Sequence, residues 1–280
     1  PGCAANMIAC MGYLTITETV NIHPSVDYKV YMDTQFQHLA TVEEFEGLYG
    51  LMEYHCGYAD EETVRWAARL YRHYGIEGNT DLLSKQYGWR YSPNIIHNPD
   101  FAAGIEGWTV HTDDWSEISG RSHDFYGHLQ GRMPPSNVGD TFLWTKRGAE
   151  QPKGVSQTLR NLIPGQLYSA KLITGNYDDL IAGRSIKKEH AVCFEIDGVD
   201  MVPEKSFLAV VANNYAHKLG PFTADYSYWF NHHRYVFRAT EAAAQLSISN
   251  WKSADERGGP VGEELIFNFV EVQPYYQEQE

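Results

Sequence analysis

Long apolar runs are missing from this chain: nowhere do about 18 apolar residues follow one another, so no segment has the length and character of a membrane-crossing helix. Positive charge is scarce as well. Lys and Arg number 22 against 36 Asp and Glu, giving a formal net charge of -14 and a pI near 5.3. A surplus of this sign repels phosphate backbones and anionic lipid surfaces, so neither nucleic acid nor membrane is an expected partner, and Lys187-Lys188 is too short a basic run to change that. There are four cysteines, Cys3, Cys10, Cys56 and Cys193, with no CxxC and no metal-type pairing with histidine. A disulfide among the first three is permitted and not required. No GxSxG, P-loop, Rossmann fingerprint or HExxH occurs, nor any internal repeat or low-complexity tract.

What is present suffices for a packed protein. The 280 residues, 43% hydrophobic, fill one large or two ordinary domains. Aromatic residues make up 14%, with 7 Trp and 19 Tyr, which supplies planes for stacking on apolar sugar faces, although most of them are expected in the core and in sheet pairs. The chain opens Pro1-Gly2-Cys3, without initiator Met or secretory leader, and is expected to be processed or part of a longer protein.

The first ninety residues alternate strand and helix signals. Residues 7–14 and 48–54 are apolar runs of strand length, as in strands buried on both faces. Between them Pro24 stands at a helix start, and Tyr28, Met32, Phe36, Leu39 and Ala40 form a helical stripe ending near Thr41. After the second run, Asp60 caps a helix with Glu61 and Glu62 in its first turn, Arg69, Arg72 and His73 near its end and Gly75 as its stop. Such an order predicts a parallel α/β arrangement, and residues 79–93 read as a linker.

Beyond that linker helical periodicity gives way to period-two alternation. Strands are predicted near 105–111, 126–132, 140–145, 154–162, 166–175, 190–197, 226–238, 243–250 and 262–273, which argues for a sandwich. Asp197-Gly198 is a hairpin-turn signal, and the stretches 176–189 and 204–225 read as long binding loops. The opening Asn98-Pro99-Asp100-Phe101 with Gly107-Trp108, then Val155-Ser156-Gln157-Thr158-Leu159, Pro164-Gly165 and Tyr168, and finally Leu265-Ile266-Phe267-Asn268-Phe269-Val270, resembles carbohydrate-binding β-sandwich modules of the galactose-binding-like jelly-roll type. Residues 1–90 resemble the last two βα units of a glycoside-hydrolase (β/α)8 barrel. The expected organisation is therefore an α/β fragment over 1–90 followed by an all-β jelly roll over 91–280. The alternative for 1–90 is an independent small α/β cap.

These resemblances imply an oligo- or polysaccharide partner, a secreted setting (extracellular or periplasmic) and, as second partner, the remaining N-terminal part of the barrel. The parent protein would be the glycoside hydrolase, and this chain alone is not expected to be catalytic; the alternatives are a purely structural sandwich that stabilises the barrel and a glycoside hydrolase that uses Glu53. Glu53, at the end of the second apolar run, is the candidate catalytic carboxylate, with Glu18 the other acid at a comparable position. Candidate sugar-binding residues are Trp115, Trp144, Tyr177 and Trp229 as planes, with Trp251 also considered, and Arg147 and Gln157 as hydroxyl partners; Gln157 could equally satisfy backbone groups. Trp108 is expected in the core. His232-His233, with His190 and His217, read as structural, because adjacent strand residues point to opposite faces. No cofactor is expected. The resembled modules often hold a structural Ca2+ with an acid after the opening Phe and an Asp in the last strand, but Ala102 and Asn268 occupy those positions here.

Overall fold

The computed structural model describes residues 7–12, 23–54, 59–130, 137–184, 186–212 and 228–278. Packing divides the chain into two units, one made of residues 1–16, 26–93 and 276–280 and the other of 17–25 and 94–275. No helix among the described residues is long and apolar enough to cross a membrane.

The smaller unit runs β1 (Ile8–Gly12), α1 (Tyr28–Thr41), β2 (Gly50–Tyr54) and α2 (Glu61–Leu70), with β1 and β2 paired in parallel. Helix α1 starts four residues after the position expected from Pro24, because the Asp27 carboxylate accepts the Lys29 and Val30 amides. Asp60 caps α2 through Thr63 N at 2.8 Å. Around fully buried Trp66 pack Tyr87, Trp89 and Tyr276, and its indole donates to Lys29 O at 3.0 Å. The buried Asp33 carboxylate gathers the Tyr74 hydroxyl and the Leu83 and Ser84 amides, tying α1 to the chain beyond α2. The strand and helix order is the expected one, but a barrel fragment is not shown: the parallel sheet of the described residues has two strands, and a two-stranded ribbon defines no barrel.

The larger unit is a β-sandwich of the jelly-roll kind. Its strands are β3 (Thr109–His111), β4 (Ile118–Ser122), β5 (Thr141–Lys146), β6 (Gly154–Leu159), β7 (Leu167–Asn176), β8 (Cys193–Asp197), β9 (Val199–Met201), β10 (Phe207–Ala212), β11 (Trp229–Ala239), β12 (Ala244–Ser249) and β13 (Glu264–Pro274). Two short helices, α3 (Tyr126–Leu129) and α4 (Tyr177–Ile181), interrupt them. One sheet has the order β10-β11-β7-β13-β5-β4 with β9 also on β11, and the other β3-β6-β12-β8. Alternation decides the core: Tyr168, Ala170 and Leu172 of β7 face Leu246 and Ile248 of β12 and Phe194 and Ile196 of β8, sealed by Phe101 stacked on buried Trp108. The other face of the larger sheet carries a second apolar cluster that includes Phe142, Trp144, Ile173, Phe230, Ile266 and Phe269. Strand β7 lies buried along its whole length.

Three local expectations change. Residues 126–129 are helical, not extended: Phe125 takes φ +70, and a Cβ at Gly127 would come within 2.2 Å of Val138 O, so only glycine fits the turn. Asp197-Gly198 joins no hairpin, because β8 pairs with β12 while β9 pairs with β11; the turn carries the chain from one sheet to the other. The two long loops hold structure of their own, α4 in the first and edge strand β10 in the second. Glu18, Cys3, Cys56 and His217 lie outside the described residues.

Candidate functional site

The strongest meeting of aromatic planes and polar groups lies where β4, β5 and β13 run beside the turn from β7 into α4. Trp144 on β5 and Ser119 on β4 are register partners, as are Trp144 and Ile266 on β13, so the indole stands one strand in from the sheet edge, on the face opposite the main core. The Asn176 side chain accepts the Asp179 amide and opens α4, which sets Tyr177 beside Trp144, with ring centres 6.2 Å apart at 70°. Arg121, two residues beyond Ser119 on the edge strand, lays its guanidinium 3.4 Å over the Trp144 ring and 5.1 Å from the Tyr177 ring. Its Nε donates to Ser119 Oγ. On the other side the Trp144 indole donates to Glu264 Oε2 at 2.7 Å. Asp178 completes the cluster; partial burial first, then the nearby charges of Glu264 and Asp179, raise its carboxyl above the usual range.

This arrangement offers a half-exposed phenol plane, a guanidinium with N–H groups at the rim, and two acids. Planes of this type cover the apolar face of a sugar ring while guanidinium and carboxylate divide its hydroxyls between donor and acceptor roles. Trp144 itself is 4% exposed and serves as the floor on which Arg121 rests and from which Glu264 is held. Of the expected planes, the structure brings Trp144 and Tyr177 together. It adds Arg121, Asp178 and Glu264, which the sequence did not single out.

The remaining candidates sit elsewhere. Trp115, 66% exposed, is presented by a turn in which Asp114 accepts both Ser116 N and Ser116 Oγ, and it shares no described ring contact with Trp144 or Tyr177. Trp229 opens β11 with the Lys187 ammonium 5.1 Å from its ring. Trp251 is buried beside Arg257. The Arg147 guanidinium is wholly buried and donates to Arg257 O, Ala191 O and Glu263 Oε2, so its donors hold loops together rather than face solvent. The Gln157 carboxamide accepts His97 N and donates to His97 O and Gly107 O. It borders a groove also lined by Asn94, His97, Thr158, Arg160 and Gln245, whose lining has polar groups and an imidazole but no Trp, Tyr or Phe ring. The Glu53 backbone lies in β2 opposite Met11, and its side chain lies outside the described residues.

The Ca2+ that the resemblance implies does not fit the donors in place. Ala102 offers only a methyl group where an acid would stand, and Asn268 donates its Nδ2 to Gly139 O at 3.1 Å, occupying a carbonyl that a hard cation would need. Among the described residues no group of three or more His, Cys, Asp or Glu is placed to hold a metal ion. Histidines 190, 232 and 233 divide as expected: His190 and His233 meet at Thr174 in the interior, while His232, next along β11, points the other way.

No protein-family model matches this chain, and no curated protein matches it. Solved structures similar to it include the enzymatically active domain of tailspike protein 4 of bacteriophage CBA120, at 15% identity over 65% of this chain and 22% of that one, TM-score 0.37. Another is TmCBM61 in complex with β-1,4-galactotriose, at 12% identity over 65% of this chain and 98% of that one, TM-score 0.31. A third is the CBM22-1 xylan-binding domain of Paenibacillus barcinonensis Xyn10C, at 8% identity over 64% and 93%, TM-score 0.30. The matched part thus spans less than a quarter of the tailspike domain and nearly all of the two modules.

Proposed function

We propose that the sandwich binds a neutral oligo- or polysaccharide at the cluster of Arg121, Trp144, Tyr177, Asp178 and Glu264. The observation that carries this reading is the Arg121 guanidinium stacked between two aromatic rings, 3.4 Å from Trp144 and 5.1 Å from Tyr177, with Glu264 fixed by the Trp144 indole. Those groups are pre-positioned, so a ligand meets them without a large ordering cost. The net charge of -14 favours an uncharged polymer over an anionic one. As part of the same reading, the module accompanies a glycoside-hydrolase-like body and keeps it on its polymer, outside the cell. The parallel β1-α1-β2-α2 order supports that association, and no catalytic step is assigned to this chain.

A second reading follows from the burial of Trp144: the cluster is a closed plug that only stiffens the sheet. Calorimetric titration of the whole chain with a panel of neutral oligosaccharides separates the two. Under the binding reading Tyr177→Ala and Glu264→Gln each weaken association by about tenfold or more, and Trp115→Ala and Gln157→Ala leave it within about twofold. Absence of binding to every member of the panel, or equal affinity in all four variants, rejects it in favour of the plug.

A further inference from the structure

The last strand breaks step where it meets the opening turn. Register is lost between Asn268 and Glu271 of β13, and Phe269 takes φ +54, a left-handed conformation also adopted by Phe101 at φ +54. Two non-glycine residues in that region need compensation, and Asp100 supplies it. Its Oδ1 accepts Phe269 N at 3.2 Å, its Oδ2 accepts Gly139 N at 3.0 Å, and its backbone carbonyl accepts the Thr141 hydroxyl. Val270 N closes the same junction on Pro99 O at 2.9 Å. The Asn268 carboxamide then crosses to Gly139 O, where the Gln130 carboxamide also points. Asp100, Asn268 and Gln130 are all buried.

We propose that a carboxamide bridge does in this sandwich what a structural Ca2+ would do, joining segments 98–101, 137–141 and 268–270 without a metal. A cation draws oxygens together and repels N–H donors, whereas here Gly139 presents its N–H to Asp100 and its carbonyl to Asn268, a donor–acceptor pattern that amide and carboxylate satisfy between them. Among the described residues Asp100 is the one carboxylate that bonds across the junction, the Asp140 carboxylate being turned to Gly127 N, which leaves most of a dication's charge uncompensated. Among the described residues Asn268 Oδ1 and Gln130 Oε1 meet no hydrogen-bond donor, so two neutral oxygens already lie at the junction. Exchanging the Asn268 amide for a second carboxylate therefore converts the bridge into an acidic, oxygen-rich hole. Asn268 decides between the two states.

Thermal unfolding of the whole chain in EDTA and in millimolar CaCl2 tests this. The natural protein is expected to melt at the same temperature in both, within about 1 °C. In EDTA, Asn268→Asp is expected to melt at least about 4 °C lower, and CaCl2 restores it by mass action; Asn268→Leu loses as much and is not restored. A natural protein that loses several degrees in EDTA and regains them with CaCl2 overturns the proposal, and this arm decides even where a variant fails to fold. An Asn268→Asp protein as stable as the natural one in EDTA, or one whose loss Ca2+ does not reverse, overturns it equally.

Discussion

Thr174 has one hydroxyl proton for two imidazoles. Its Oγ1 lies 2.9 Å from His190 Nδ1 and 3.0 Å from His233 Nε2, so it donates to one ring and accepts from the other, an arrangement that requires a neutral histidine on at least one side. Burial pushes His190 down to about 3, with Lys188 and the His233 ring adding to the effect, and burial pushes His233 down to about 4. The sign follows from where the protons go. Near neutral pH both rings are uncharged whether folded or unfolded, and they make no difference to stability. As the pH falls through the ordinary histidine value of 6.5, the unfolded chain takes up protons that the folded one refuses, and the loss grows until it levels off below the folded values of about 3 and 4. At about pH 5 this amounts to about 2 kcal/mol for each ring. Urea unfolding midpoints should fall between neutral pH and about pH 5, and a His190→Gln, His233→Gln double variant should show a shallower fall; equal slopes in both proteins would remove these histidines from the acid response. The opposite orientations of His232 and His233 are legible in the sequence, since strand residues alternate. The Thr174 meeting is not, because it joins residues from β7, β11 and the loop before β8.

At the scale of single elements, local signals work where the chain itself satisfies the backbone. Helix α2 is an example, with Asp60 accepting Thr63 N and with Glu61 and Glu62 in its first turn. Asp60→Ala should lower stability by about 1 kcal/mol, read as a lower urea midpoint followed by far-ultraviolet circular dichroism; an unchanged midpoint would mean that tertiary packing alone holds the helix start. Strand β4 shows the reverse. Ile-Ser-Gly-Arg-Ser has little extended preference of its own, and Gly120 is there because a Cβ would stand 2.5 Å from Gly104 Cα. That strand carries Arg121, so a site residue stayed hidden because its element is dictated by a partner segment. Edge strand β10 is different. Phe207–Ala212 is an apolar run of strand length, a signal that the expectation of a long loop passes over.

For the whole molecule, helical periodicity gives way to alternation near residue 95, and packing puts residues 26–93 and 276–280 in one unit and 94–275 in the other. The sandwich and its core faces were legible because burial on one face imposes a period of two, and the buried Trp108 because the opening motif resembles modules in which that Trp packs inside. What alternation cannot show is which aromatic residues of different elements converge, as Trp144 within β5 and Tyr177 just after β7 do. The same limit applies to Arg147, whose donors read as free to meet hydroxyls until the loops that consume them are in view, whereas the backbone alternative weighed for Gln157 is the one its carboxamide adopts. The account rests on ligand arriving at the Glu264–Trp144 pair, and that bond provides its own reporter. Nitrogen-edited NMR of the whole chain, titrated with the tightest-binding oligosaccharide, follows the indole N–H signals of the tryptophans. The Trp144 signal should shift progressively and saturably as Glu264 exchanges partners, while that of buried Trp251 stays in place. A saturating titration that moves Trp115 or Trp229 and leaves Trp144 unmoved would contradict the site.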